Sequence, residues 1–325
     1  MKKLSLLLLA PLAWAQSADE AAITKLYETR DIASRIGALL PMPVLGVPQK
    51  LREKTESGEQ SPTAVADDDT GTKQQLESGI RRLEELLRRH AGLSAETLAS
   101  PKRLRMTEAG TLVAETSASE QERLARVVEN LRRFEGAFSV EALLVEVPRD
   151  VTQDLGLNES SVLQAEVERD ALLASLRNRG ASVVVGPKLL VNPLQRANVI
   201  VGDTLNYIGD WSVHTVEPGP VEVLDPVLME VTLGSALAAF VAPLPESKVA
   251  LSLEVQHASA ERPLRTQRVS RAGREVEVAL PVITQQRAQL EFSLADGATA
   301  VLALPAESER VLLQFVTVRS VPQQK

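Results

Sequence analysis

Three histidines, a run of aspartates and two tryptophans are the side chains of this sequence that could do chemistry, and their spacing decides what chemistry is open. His90, His214 and His257 lie far apart on unrelated elements, with no second His, Cys or acid cluster at ligand spacing around any of them. The triplet Asp67 to Asp69 has neither the alternating ligand positions nor the closing Glu of an EF-hand, so it reads as solvated linker. There is no HExxH, GxSxG, P-loop or dinucleotide fingerprint. A Ser-His-Asp site could be assembled from residues distant in sequence, but no local signature supports one. With no cysteine, the chain also has no thiolate nucleophile, no disulfide and no Cys-linked lipid anchor. No catalytic residue, metal ligand or cofactor is therefore assigned, and the sequence does not read as an enzyme. His90 follows Arg88 and Arg89 before Gly92, where it compensates a helix dipole. Trp211, in Gly-Asp-Trp-Ser-Val, reads as a core anchor at a strand end, with His214 beside it as a surface pair.

The elements that would position a site must then be built for something other than catalysis, and the first residues say where. Lys2 and Lys3, an apolar run from Leu4 to Ala13, and Ala13-Trp14-Ala15 form a secretory signal peptide over 1–15. The run is too short to cross a bilayer, which needs about 20 apolar residues. Basic residues number 36 against 43 acidic, a net charge of −7, and loss of Lys2 and Lys3 makes the exported chain more negative. No basic stripe is available to displace counterions, so nucleic acid is excluded as a partner. The longest later apolar run, 236–243, is of strand length. Any membrane contact must therefore be made by strands or by partners. Aromatics at 3% are fewer than the girdles of a self-contained outer-membrane barrel require.

Along the chain, 16–136 reads as a small α/β domain and 137–325 as a β-rich one. A short strand near Ile23 places Leu26 on one face and Tyr27 on the other. Residues 52–74 are polar with almost nothing to bury, so the pattern predicts a disordered loop. Leu76, Ile80, Leu83 and Leu87 mark one face of a helix. A hairpin over 103–107 and 111–115 follows. Ser117 with Glu120 then opens a second helix with a capping box. Beyond a strand at 138–147, a polar loop at 150–161 and a helix over 162–178, the pattern is nearly pure β. Runs at 183–185 and 197–201 are followed by a Gly-Asp break at 202–203 and a third run starting at Leu205. Further strands are expected at 227–241, 248–256, 274–283, 288–294, 299–304 and 311–318. In 248–256, Leu251, Leu253 and Val255 alternate with Ser252, Glu254 and Gln256, so one face should meet something apolar and the other water. Alternation leaves open whether that apolar side is a sandwich core or lipid.

The order of these stretches resembles a known family. Phe138-Ser-Val-Glu-Ala-Leu-Leu-Val-Glu-Val147, a helix ending at Gly180, Val183 to Pro187, and Ala197 to Gly202 with Tyr207 look like the core of the secretins. Those proteins are the outer-membrane ring channels of type II and type III secretion and of type IV pili. Val231 to Leu237 with Pro243, Ala295 to Val301 around Gly297, and Val311 to Thr317 resemble the family's later strands. Lys25 to Ile32 and Gly110 to Glu115 resemble the ring-building domains that precede such cores. The departures are a shortened connection, 306–310, between the last two strands and a closing Thr317-Val318 in place of Thr-Pro.

The resemblance implies an α+β fold, with a ring-building-type α/β domain followed by a secretin-like β-domain. It also implies a homo-oligomeric ring at the outer membrane, with secretion-system or cell-envelope proteins as further partners. Pro187, Gly202, Tyr207, Gly234 and Gly297 become structural or gate-region candidates, their glycines serving as bends or as plain turns. The alternative is a soluble periplasmic module whose secretin-derived β-domain makes no pore.

Overall fold

The computed structural model describes residues 22–36, 42, 44–50, 68–157, 161–163, 166–216, 221–304 and 309–322. The proposed signal peptide and most of the 52–74 loop lie outside them. The elements begin with β1 (Ile23–Glu28), α1 (Arg30–Arg35), β2 (Gln49–Lys50), α2 (Asp68–His90) and α3 (Ala95–Ala99). Next come β3 (Leu104–Met106), β4 (Thr111–Thr116), α4 (Ala118–Arg133), β5 (Ala137–Pro148), α5 (Arg149–Asp154), β6 (Ser161–Leu163) and α6 (Glu166–Asn178). Then follow β7 (Ser182–Val185), β8 (Lys188–Val191), β9 (Arg196–Val216), β10 (Val221–Leu244) and β11 (Lys248–Ala260). The last are β12 (Arg265–Arg271), β13 (Arg274–Leu280), β14 (Ile283–Ala295), β15 (Thr299–Leu304) and β16 (Arg310–Val321). The protein is α+β, as its sequence pattern leads one to expect.

The first sheet is antiparallel in the order β1-β4-β3. Ile32, Leu83, Leu87, Leu124 and Leu131, all fully buried, come from α1, α2 and α4 and share a core with Leu104 and Leu112 of the sheet. Their 3.6-residue spacing is why these segments are helices: each offers one apolar stripe and must bury it. The capping box is present. Ser117 accepts from the Glu120 amide at 3.4 Å, and Glu120 accepts from the Ser117 amide at 3.4 Å. Glu120 also accepts from the Ser94 amide at 2.6 Å and from the Thr97 hydroxyl at 3.1 Å, which ties α3 to α4.

Two larger sheets pack face to face. One runs β6-β15-β16-β5-β7 with β8 also on β5; the other runs β14-β11-β10-β2 with β9 also on β10. Phe138, Val140, Ala142 and Leu144 of the first meet Leu237, Ala239, Val241, Leu251 and Leu253 of the second in one apolar core. On the far side of the first sheet, α5 and α6 cover Val145, Val147, Leu313 and Phe315. On the far side of the second, Phe240, Ala242, Leu244 and Ala250 pack into the core of the N-terminal α/β unit. Residues 235–244 are thus buried on both faces. That explains a near-continuous apolar run where a half-exposed strand would alternate.

Several expectations are corrected. Residues 68–74, read as part of a disordered loop, are helical as the first turns of α2. The polar loop expected at 150–161 holds α5, and the helix expected from 162 begins at Glu166 after β6. The Gly-Asp at 202–203 does not end a strand, because the ladder to β10 runs straight through it. The face of β11 expected to meet water does not. Glu254 and Gln256 are 8% and 7% exposed, because Arg196 and Arg287 enclose Glu254 and the Leu45 amide donates to Gln256 at 3.4 Å. Period-two alternation reports polarity, and here the polar face is covered by protein that brings its own polar partners.

Candidate functional site

The candidate region is the β9–β10 hairpin. Its strands are 21 and 24 residues long, far beyond the usual five or six, and at about 3.4 Å per residue they reach roughly 70–80 Å. Residues 235–244 of β10 are buried, whereas the described side chains of β9 and those of β10 before Val231 are half-buried or exposed. Gly202 and Gly234 stand directly opposite each other in the ladder. A Cβ on Gly202 would lie 1.9 Å from the Leu233 carbonyl oxygen, and one on Gly234 would lie 2.3 Å from that of Val201. Gly234 also has φ +128°, a conformation L-residues rarely adopt. Only two glycines permit this approach, so the hairpin is pinched there.

The pinch is held from the side. Beside it the Ser235 hydroxyl and His257 Nδ1 are 2.8 Å apart. Burial lowers the His257 pKa, while the Glu146 charge and a bond to the Gly234 backbone work the other way. Further out, Tyr207 stands opposite Met229 and packs with Leu205 beside Met42, Leu45 and Val231, and burial raises its phenol pKa. A bulge at Gly209 follows. Ile208 pairs with Leu228 and Asp210 with Val227, so Gly209 is the extra residue. Past the bulge the β12–β13 hairpin leans on β9. Trp211 Nε1 donates to the Glu277 carbonyl at 3.0 Å, and Arg271 pairs with Asp210 at 2.9 Å. Trp211 is half-buried at this contact and belongs to none of the core clusters, so it is a contact residue between hairpins rather than the expected core anchor. His214 lies on the surface, 3.6 Å from Asp225.

Of the five candidate residues, Gly202, Gly234 and Tyr207 come together on this hairpin. Pro187 is elsewhere. It is buried at the β7–β8 corner, and its carbonyl accepts from the Ala142 amide at 2.9 Å. Gly297 is a turn glycine between β14 and β15, with φ +84°, open space around it and its amide bonded to the Val318 carbonyl at 2.8 Å.

Sequence reasoning missed the ionic staple across the base of the hairpin. Glu254 of β11 accepts from Arg196 of β9 and, at 2.5 Å, from Arg287 of β14. Arg196 reaches Glu254 across β10, where the ladder places Ala238 opposite Glu254 and small side chains leave the path open. Burial alone would raise the Glu254 pKa, but the hydrogen bonds from Arg196 and Arg287 outweigh it and hold the carboxyl below its usual range. Above it Arg82 of α2 stacks on Phe240, its guanidinium 4.3 Å from the ring centre. The sequence carries no local signal for it, because Arg196, Glu254 and Arg287 lie on β9, β11 and β14 and only the register brings them together. Among the described residues, no three His, Cys, Asp or Glu converge as a metal site.

No family model matches the sequence, and no curated protein matches it. Among solved structures, Aeromonas hydrophila ExeD is similar at 13% identity, over 75% of this chain and 59% of its own, with a TM-score of 0.31. The secretin-domain β-barrel of InvG from the Salmonella SPI-1 injectisome is similar at 10% identity, over 94% of this chain and 90% of its own, with a TM-score of 0.33. The V. cholerae type IV competence pilus secretin PilQ is similar at 14% identity, over 68% and 69%, with a TM-score of 0.29. The chain spans 59% of the length of the ExeD chain it resembles.

Proposed function

We propose that this chain is an exported secretin-like protein that assembles with copies of itself into an outer-membrane ring and serves protein secretion as a ring or channel component. The observation that carries this reading is the open sheet. Among the described residues β9 and β14 form the two margins of a sheet of long antiparallel strands, and each has a ladder partner on one side only. Unpaired strand edges favour pairing with another chain. Two different edges on one sheet give a heterologous contact, which closes into a ring when the rotation allows. Such a ring is a barrel with no free edge. On this reading 16–136 is the ring-building domain, 137–325 is the barrel-forming domain, and the pinch at Gly202 and Gly234 with Tyr207 is the gate region. The role is structural rather than catalytic.

A second reading, a soluble periplasmic module without a pore, is favoured by the coverage of 235–244. Sheet residues that would have to face lipid or a lumen are packed on both sides by this chain's own core. Membrane fractionation with unheated gel electrophoresis separates the two. A heat-labile multimer in the outer-membrane fraction is expected for the ring. A soluble monomer or dimer in the periplasm would sink it.

A further inference from the structure

Elsewhere the molecule gathers positive charge that its own carboxylates do not absorb. A cavity lies between the C-terminal end of α2, the middle of α4 and the β10–β11 turn, lined by His90, Gly92, Arg123, Arg126, Glu246 and Lys248. Arg123 and Arg126 stand one turn apart on α4, flanking Leu124 and Val127, which face the core. The Arg123 Nε–H is buried and has no hydrogen-bond partner among the described residues. Burying a guanidinium N–H without an acceptor is costly, which raises the need for negative charge beside this group. Glu246 is the one carboxylate in the lining, and it is bonded to Lys248 Nζ at 2.9 Å. Arg126 acts on Glu246 through charge alone. The turn that carries these two side chains has φ of 60° at Glu246 and 53° at Ser247. Asn-Gly is the usual occupant of such a turn. Two guanidiniums and an ammonium against one carboxylate leave an excess of positive charge, in a chain whose net charge is −7.

We propose that this cavity is an anion site that takes a phosphate-type dianion, held by the guanidinium groups of Arg123 and Arg126 and the ammonium of Lys248. Planar guanidinium forks match the oxygens of a phosphate group, and a dianion balances the local excess. The inference does not depend on the secretion reading. Because α4 and the β10–β11 turn belong to different halves of the chain, a bound dianion would cross-link them.

The test is calorimetric titration of the full chain at low salt with inorganic phosphate. Beside it runs sedimentation with phosphatidylcholine vesicles, with and without phosphatidic acid. Saturable phosphate binding is expected, weakened about tenfold or more in Arg126→Ala and in Lys248→Gln, since each variant removes a charged hydrogen-bond donor. Arg126 and Lys248 are exposed enough for both variants to fold, which circular dichroism checks. Arg123→Lys should retain more affinity than Arg123→Ala. Binding confined to phosphatidic acid vesicles, with the same dependence on these variants, identifies a lipid headgroup as the source and supports the site. Binding of neither probe, or binding that the variants leave unchanged, overturns it.

Discussion

Gly234 shows how much a single residue fixes. Its left-handed-side φ of +128° and the 2.3 Å approach to the Val201 carbonyl make any side chain strained twice over. Gly234→Ala should lower stability by about 3 kcal/mol or more, whereas Gly297→Ala, with φ +84° and open space, should cost about 1–2 kcal/mol. Denaturant midpoints at unchanged slope measure both, and equal losses would remove the pinch from the account. Glu254 gives a pH prediction of definite sign. Its carboxyl is held below its unfolded value, so its contribution is complete above about pH 4.5 and fades as pH falls through the folded value. Glu254→Gln should lose about 2 kcal/mol near neutral pH and show a flatter fall of stability below that pH. A variant whose acid titration of stability matches the parent protein would rule the staple out as its source.

Among elements, α4 has its start most fully specified. Ser117→Ala removes one cap and should cost about 1 kcal/mol. Glu120→Ala should cost about twice that, because the Ser94 amide, the Thr97 hydroxyl and the Ser117 amide all donate to this one carboxylate. Thermal melts of the two variants, read side by side, check the order, and a larger loss at Ser117 would contradict it. The capping box was legible because it is local: two residue types three positions apart satisfy each other's amides. The long β9 was not. Its Gly202-Asp203 carries every mark of a turn, and only the facing Gly234 turns that dipeptide into a close strand crossing.

For the whole molecule, the N-terminal unit is a lid on the long sheet. Phe240, Ala242, Leu244 and Ala250 belong to the same buried cluster as Leu83, Leu87 and Leu131. A fragment carrying 137–325 alone should therefore expose an apolar face, bind a hydrophobic dye and melt with reduced cooperativity. A fragment that melts as sharply as the full chain without binding dye would show that the two units are independent.

By itself the sequence determined what is local. The apolar stripes of α2 and α4, the capping box, the hairpin between β3 and β4, the α+β class and the lack of any motif for chemistry all follow from neighbours within a few positions. Only the tertiary structure decided what each strand face meets. Glu254 and Ser252 read as water-facing because alternation carries polarity but not surroundings. The arginines that bury Glu254 are contributed by strands 58 and 33 positions away. The same holds for Gly202, whose need for glycine comes from a carbonyl on another strand. Burial and close approach belong to pairs of residues distant in the chain, and register, which sets those pairs, exists only once the sheet has formed.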